Sequence, residues 1–367
     1  MHVTLGEDMN KISGLFLGLL TTVCLTATAE AQYFKDKTIT MVINYAAGGN
    51  VDIEGRIFER HLNRHIAGNP TIIVNNISGA GGLTAINQLG MGVGVKDPST
   101  TLGFVTFNPM AVLIEDPALR VKVENFAMLA GLGAYYVTYG RKDALPGMQR
   151  PQDIAQANMV QAAGYARASV HDVRLRLMLD LMGPRYQVIT GFQSIGAVNL
   201  AMAQNEINFM LTTLPGYESQ VIPNLIDKGI AIPLWQIGLR RPDGSLSGNE
   251  KVARSGVRFF EDVYKDAHGR DPSGPKFEAL QIINELMAQL ARAIIMPPGA
   301  KPEATEELRK AIQNLARDDA FLTDYRRLIK EDPILTSGAD AQTLIARVGS
   351  RTTPAMKAAL KEAVGVD

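Results

Sequence analysis

The chain is predicted to adopt an α/β fold with two lobes, each a mixed, mostly parallel β-sheet flanked by helices. Short apolar runs typical of strands alternate with segments of helical periodicity along most of the 367 residues. This alternation is typical of βαβ units. In two separate stretches, a strand is followed at once by glycine and then by a helix. The length suffices for two domains with their own cores.

The clearest unit spans residues 38–66. An apolar strand leads into Ala46-Ala47-Gly48-Gly49-Asn50-Val51-Asp52, and apolar residues then recur at helical spacing. Glycine lets the backbone approach a ligand, and the N–H groups of a first helical turn point into that space. We therefore expect a small-anion site at Ala46, Ala47, Gly48, Gly49, Asn50 and Asp52. Asp52 also suits a capping role, and the alternative is a tight turn that needs glycine only for its backbone.

Other candidate ligand contacts follow predicted strands farther along the chain. Open α/β sheets bind ligands at the carboxyl ends of their strands. Arg167 is a candidate bidentate partner for a second carboxylate, and Tyr165 a cover for an aromatic or apolar ligand body. The set after the strands is Asn108, Gly164, Tyr165, Ala166, Arg167, Ser169, Gly191, Phe192, Ser194 and Thr212. For the turn at residues 78–82 we favour a purely structural role.

The first 31 residues resemble a cleaved export signal. Lys11 precedes an apolar stretch, and Ala29-Glu30-Ala31 is a small-x-small cleavage site. The apolar stretch is shorter than the roughly 20 residues that a membrane span needs, which disfavours the alternative of an uncleaved anchor. We expect a periplasmic protein.

Once residues 1–31 are removed, the cysteine content and net charge of the chain exclude several classes of partner and chemistry. Its only cysteine, Cys24, is removed with the signal, so no disulfide and no thiol nucleophile remain. The signal holds one of the 37 basic and three of the 37 acidic residues, which leaves a formal charge of +2. Near neutrality argues against nucleic acid or an anionic membrane as the main partner.

The order of elements predicts a discontinuous first lobe. Residues 32–137 and 276–367 are assigned to lobe I and residues 138–275 to lobe II, with hinge segments at 136–140 and before Ala291. Residues 240–275 are rich in Gly, Asp, Arg, Ser and Pro, which predicts an irregular insertion around one short helix. A strand at 291–296 returns to lobe I, a helix follows from Pro302 through Ala316, and two or three C-terminal helices finish the chain.

No catalytic, metal or cofactor site is predicted. His61 and His65 have the helical spacing of metal ligands, but no third ligand stands nearby, and a solvated helix face is favoured. The chain lacks a Gly-x-Ser-x-Gly elbow, a P-loop and a zinc signature. An enzyme remains the rival class, as a hydrolase that uses His171.

Three motifs, in this order, resemble those of the periplasmic solute-binding receptors of tripartite tricarboxylate transporters, the Bug family. The motifs are Tyr45-Ala46-Ala47-Gly48-Gly49-Asn50-Val51-Asp52, Asn76-Ile77-Ser78-Gly79-Ala80-Gly81-Gly82 and Pro297-Pro298-Gly299-Ala300-Lys301-Pro302. The resemblance implies a two-lobe, type II-like periplasmic-binding fold that closes on an organic carboxylate. It also implies delivery to a permease with one large and one small membrane subunit.

The sequence departs from that family at the second lobe. Relatives often carry Asp-Asn where this chain has Thr212-Thr213, and the loss of the acid disfavours a ligand with an amine. A di- or tricarboxylate or an aromatic acid is expected, bound by a monomer. The alternative role is a ligand-sensing subunit of a signalling system.

Overall fold

Two mixed sheets organise the chain in the computed structural model, which describes residues 33–143, 147–192, 194–240 and 245–365. The predicted export signal lies outside these ranges. The strands are β1 Thr38–Ile43, β2 Thr71–Asn76, β3 Thr101–Thr106, β4 Ala127–Gly133, β5 Tyr136–Arg141, β6 Val160–Ala163, β7 Tyr186–Ile189, β8 Phe209–Thr213, β9 Ala231–Gln236, β10 Leu239–Arg240, β11 Leu246–Ser247, β12 Arg292–Met296 and β13 Ile334–Ser337.

Helices follow most strands and cover both sheets. They are α1 Asn50–Leu62, α2 Leu83–Met91, α3 Pro109–Leu113, α4 Val170–Met182, α5 Ile195–Ala203, α6 Leu214–Gly216, α7 Glu250–Arg254, α8 Phe260–His268, α9 Pro275–Leu290, α10 Pro302–Leu315, α11 Asp319–Ile329, α12 Gly338–Arg351 and α13 Pro354–Val364. The α6 turn continues directly into a π-helix, Tyr217–Ile226. Among the described residues, no helix combines the length and apolar character that crossing a bilayer requires.

The first sheet has the strand order β13-β4-β12-β3-β1-β2, and the second has β7-β6-β8-β5-β9. Strands β2, β1 and β3 are parallel, whereas β12, β4 and β13 pair antiparallel. In the second sheet β7, β6 and β8 are parallel, and β5 pairs antiparallel with β8 and β9. The predicted class of two mixed α/β sheets is confirmed, with a larger antiparallel share than expected.

The core is continuous between the sheets. One cluster of buried apolar side chains includes Val105 of the first sheet, Leu211 of the second and Leu286 of α9. Helix α9 packs against both β4 and α4, and the backbone N–H of Ala134 donates to Met287 O at 3.1 Å. Tyr136 and Val137 belong to β5 and therefore to the second sheet. The lobe boundaries at 137 and 276 stay a prediction.

Residues 240–275 are more regular than expected. Helices α7 and α8 form there, and β10 pairs with β11. The ring of Phe260 packs edge-on against Trp235 at 5.3 Å between centroids. The sequence pattern does not indicate these short elements, because the segment is rich in glycine and charged residues. Their stability comes from such tertiary packing. The sequence reading also left out helix α9 and strand β13.

Candidate functional site

The carboxyl ends of β1 and β3 meet at one edge of the first sheet, because the two strands are parallel neighbours. The buried side chain of Asn44 joins them. Its Nδ2 donates to Thr106 O at 3.1 Å, and its Oδ1 accepts from Thr106 N at 2.9 Å. The loops that follow both strands are thereby held together at the edge where ligands bind in open α/β sheets.

The first glycine loop, residues 46–50, is exposed and follows β1. Asp52, buried in the first turn of α1, accepts the backbone N–H of Gly48 at 2.8 Å. The carboxylate also accepts from Arg56 Nε at 2.9 Å and from Asn76 Nδ2 at 3.0 Å. Burial opposes its charge, but the hydrogen bonds from Arg56, Gly48 and Asn76 outweigh it and lower the pKa of Asp52. Asp52 therefore has the capping role that its position suggested.

Asp52 accepts the N–H of Gly48, which is one of the donors expected to face a ligand. The first bond of helix α1 runs from Ile53 N to Gly49 O. The N–H groups of Asn50, Val51 and Asp52 precede that bond and have no acceptor within the helix. Asn50 and Gly49 are exposed, so this turn is where an anion can still approach the backbone.

The second glycine loop follows β6 and repeats the arrangement in the second sheet. The backbone N–H of Tyr165 donates to Asp172 Oδ1 at 2.8 Å. Ser169 caps α4, since its Oγ accepts from Asp172 N at 3.1 Å. The loop after β7 is attached to the loop after β6, because Gly191 N donates to Tyr165 O and Phe192 N donates to Gly164 O.

Gly164 is required by packing. An added Cβ would collide with the Asp172 carboxylate and would lie 2.8 Å from Val188 Cγ1. The N–H of Gly164 donates to Ile189 O at 2.8 Å. The collision explains why the residue is glycine, and the bond to Ile189 O occupies its N–H without a ligand.

His171 is held between two acceptors. Its Nε2 lies 2.6 Å from Leu211 O, and its Nδ1 lies 3.1 Å from Asp172 Oδ1. The ring of Tyr165 packs on the imidazole at 4.6 Å between centroids, and burial raises the pKa of Tyr165 to about 12. Tyr165 therefore covers His171 in this structure.

The other predicted residues have diverse settings. Asn108 is half-buried and caps α3, with its Oδ1 accepting from Met110 N at 3.1 Å. Thr212 is buried within β8, and Ser194 caps α5. The guanidinium of Arg167 lies against Gly365, at the C-terminal end of α13, where a cation favours the helix dipole. Ala166 is exposed.

The structure brings the predicted residues together in two groups, one at each sheet. Within the described part of the chain, no hydrogen bond or ring contact joins residues 46–50 to residues 164–166. The two loops were expected to face each other across one ligand, and that remains a prediction.

An arginine that we did not select lies at the edge of the first sheet. Arg292 begins β12 and pairs with Thr106, the last residue of β3. Its Nε lies 3.0 Å from Glu54 Oε2, an ion pair without hydrogen-bond geometry. Burial opposes the charge, but Glu54 keeps the pKa of Arg292 above its usual value. Its side chain is 19% exposed, although Nε itself is buried.

Carboxyl and phenol groups surround Arg292. Tyr325 donates its hydroxyl hydrogen bond to Glu54 Oε1 at 2.6 Å. Glu331 has an oxygen, Oε2, that is buried without a partner among the described residues. Burial and the neighbouring charges of Glu54 and Glu218 raise the pKa of Glu331 to about 8, so Glu331 is neutral at pH 7. Glu54 is then the carboxylate that balances Arg292.

A second unselected arginine, Arg174, lies in α4 and is 1% exposed. Its guanidinium stacks on the ring of Tyr136, with Cζ 4.1 Å from the ring centroid, and its Nε donates to Asn284 Oδ1 at 2.9 Å. The sequence does indicate that the side chain of Arg174 is buried. Residue 174 lies four positions after Val170 and three before Leu177, within the apolar stripe of α4.

The paired histidines belong to a different part of the molecule. His61 is buried, with Nε2 3.0 Å from Asp324 Oδ2, and His65 Nε2 lies 2.6 Å from Asp318 Oδ2. The expectation of a solvated helix face is therefore wrong, because α11 packs against α1, and α11 with its capping residue Asp318 supplies these carboxylates. Within the described ranges, no group of three or more His, Cys, Asp or Glu side chains is placed to hold a metal ion.

Solved structures share this fold. A TctC solute-binding protein from Polaromonas superposes with a TM-score of 0.61 at 15% identity, over 89% of this chain and 98% of that chain. MatC from Rhodopseudomonas palustris with bound malate has a TM-score of 0.57 at 16% identity, over 86% and 99%. The R. palustris protein Rpa4515 with adipate has a TM-score of 0.58 at 15% identity, over 90% and 97%.

The sequence matches no protein-family model and no curated protein sequence. The likeness therefore lies in the fold. The chain has the fold of the TctC and Bug periplasmic binding proteins, as its motifs predicted.

Proposed function

We propose that this protein is a periplasmic receptor that captures an organic carboxylate between two lobes and delivers it to a membrane permease of one large and one small subunit. The observation that carries the proposal is the placement of positive charge. The carboxyl edge of each sheet holds an arginine, Arg292 in the first and Arg174 beside the second. Guanidinium groups bind carboxylates through paired, charge-assisted hydrogen bonds.

The first turn of α1 supports the same chemistry. The exposed amide of Asn50, which precedes the first bond of the helix, stands at the positive end of the helix dipole, where anions bind. It lies at the same edge of the sheet as Arg292, because β1 and β3 are neighbours and Arg292 pairs with the end of β3. A carboxylate at this edge would meet both backbone donors and a cation.

Two structures with this fold contain dicarboxylates, MatC with malate and Rpa4515 with adipate. The proposed mechanism is a shift of population. A ligand that contacts both sheets stabilises the closed arrangement by the difference in its affinity for the closed and open forms. The closed form is then the one that the permease recognises.

A receptor is better supported than a hydrolase. Both ring nitrogens of His171 face acceptors, Leu211 O and Asp172 Oδ1. A general base needs a free nitrogen within hydrogen-bond reach of the proton that it removes. His171 is therefore a structural residue in this proposal.

A thermal-shift panel of mono-, di- and tricarboxylates, followed by calorimetry on each that raises the Tm, tests the proposal. At least one carboxylate should raise the Tm. Gly49→Val should abolish its binding without unfolding the protein, because Gly49 has φ −80°, which valine tolerates, and the new side chain blocks the amides. An unshifted Tm across the panel, or unchanged affinity in Gly49→Val, would contradict the proposed receptor or its first-sheet site respectively.

A further inference from the structure

We propose that Arg174 and Tyr136 form a second anion subsite that binds the distal carboxylate of the ligand and makes this receptor selective for dicarboxylates. The inference rests on the proposed function and adds the substrate class. Tyr136 belongs to β5 of the second sheet, and Arg174 belongs to helix α4. In this proposal Arg174, and not Arg167, is the partner of a second carboxylate.

The guanidinium of Arg174 is only partly satisfied. Asn284 Oδ1 accepts from Nε, and the ring of Tyr136 covers one face. Nη1 and Nη2 are buried and make no hydrogen bond of ordinary geometry among the described residues, although the nearby Tyr136 phenol favours the charged guanidinium. Nearly all buried polar groups in proteins are paired, so donors left over on a charged group require an explanation.

The charge of Arg174 is also unbalanced. No carboxylate forms an ion pair with it within the described part of the chain, in contrast to Arg292 with Glu54. Burial lowers the pKa of Arg174 to about 10, so it is still charged at neutral pH. A buried, unpaired cation is costly to the protein, and a carboxylate from a ligand would supply both the missing charge and the missing acceptors.

The position of Tyr136 connects this subsite to the proposed ligand. Tyr136 begins β5 and pairs with Thr213, the last residue of β8, so it lies at the carboxyl edge of the second sheet. The phenols of Tyr136 and Tyr45 both help to raise the pKa of Arg292. Tyr136 therefore lies near two guanidinium groups, Arg174 of α4 and Arg292 of β12, and two cations suit a ligand with two negative ends.

Arg167 lacks these properties. It is exposed, and its guanidinium lies against Gly365. An exposed arginine retains its hydration and gains less from pairing than a desolvated one. Arg174 is the better candidate than Arg167, because it is buried, stacks on Tyr136 and has donors without an acceptor.

The test compares adipate with hexanoate, which has the same number of carbons and one carboxylate fewer, by calorimetry on the whole protein. The variants are Arg174→Met, which keeps length without charge, and Arg174→Lys, which keeps charge without the planar fork. Arg176→Met is the matched control, because Arg176 is half-buried on the same helix beside Tyr186. The Tm of each variant without ligand is measured in parallel.

Wild type should bind adipate at least tenfold more tightly than hexanoate. Arg174→Met should weaken adipate at least tenfold and hexanoate less than threefold, Arg174→Lys should weaken adipate to a smaller extent, and Arg176→Met should change neither. If Arg174→Met does not fold, the same adipate-specific loss in Arg174→Lys decides.

Equal losses for the two ligands, or a lowered Tm with the adipate preference intact, would overturn the subsite and assign Arg174 a structural role. A wild-type protein that binds hexanoate as well as adipate would also overturn it, while the proposed receptor would stand. If neither adipate, hexanoate nor any panel carboxylate binds, the proposed function itself is wrong.

Discussion

The two glycine loops share one hydrogen-bonding arrangement but differ in how fully the carboxylate at its centre is hydrogen-bonded. In each sheet a strand leads into a glycine loop, and an aspartate in the first turn of the next helix accepts a loop N–H at 2.8 Å, Gly48 for Asp52 and Tyr165 for Asp172. Both loops are thereby shaped without a ligand. The difference lies in what surrounds each carboxylate.

Asp52 is fully engaged, since Arg56 and Asn76 donate to it along with Gly48. The hydrogen bonds of Asp172 are all made by Oδ1, which accepts from Tyr165 N and Ser169 Oγ and lies 3.1 Å from His171 Nδ1. Its Oδ2 is buried without a partner among the described residues. The first loop therefore depends on an arginine at the surface, and the second on tight packing around a buried charge.

Substitution of the loop glycines should give the largest contrast. Gly164→Ala should lower the free energy of unfolding by about 3 kcal/mol, because the added methyl group collides with Asp172 and Val188. Gly48→Ala should cost about 1–2 kcal/mol, since it has open space but φ +82°. Urea denaturation measures both, with Gly49→Ala as a near-neutral control. Equal losses at 164 and 48 would mean that packing does not distinguish the loops.

The next-largest difference in the free energy of unfolding is expected when the side chain beside each aspartate, His171 or Arg56, is removed. His171→Ala should cost about 2–3 kcal/mol, because the two ring nitrogens lie against the buried Asp172 Oδ1 and Leu211 O, and the acceptor that the imidazole serves loses its donor. Arg56→Ala should cost less than about 1 kcal/mol, since the Arg56 side chain is 44% exposed and Asp52 retains Gly48 and Asn76. The same denaturation series compares them, and a larger loss for Arg56→Ala would reverse the ranking of the two loops.

The smallest expected effect is the acid sensitivity of the first loop. Folding lowers the pKa of Asp52, so its stabilising contribution is complete above the usual aspartate pKa of about 3.9 and is lost as the pH falls through the lower folded value. Asp52→Asn should cost about 1 kcal/mol at pH 7, and progressively less as the pH falls below the usual aspartate pKa. Tm measured against pH checks this, and a pH-independent loss would assign the effect to shape instead of charge.

Local patterns predicted the units of this fold well. The strand and helix predicted within residues 38–66 form as β1, Thr38–Ile43, and α1, Asn50–Leu62, and Ser169 caps α4, a position that serine favours. The glycine loops were found for the same reason, because they interrupt periodicity at a fixed place between strand and helix. What the pattern could not indicate was that Asp52 and Asp172 would occupy loop N–H groups.

The charged residues show the limit of this reasoning. Arg174 meets Tyr136 and Asn284, which lie 38 and 110 positions away, and Arg292 meets Glu54 from the opposite end of the chain. His61 and His65 have a metal-like spacing, yet they pair with carboxylates that α11 supplies. Spacing along one helix does not reveal what packs against it.

By itself the sequence determined the alternation of strands and helices, the glycine loops and the absence of strong net charge, because hydrophobic period and backbone freedom are local properties. Only the tertiary structure decided the strand order, the antiparallel placement of β5 and β12, and the approach of two arginines to Tyr136. Those features depend on which distant surfaces are buried together, and burial sets whether a charge is paired with water, with protein or with a ligand.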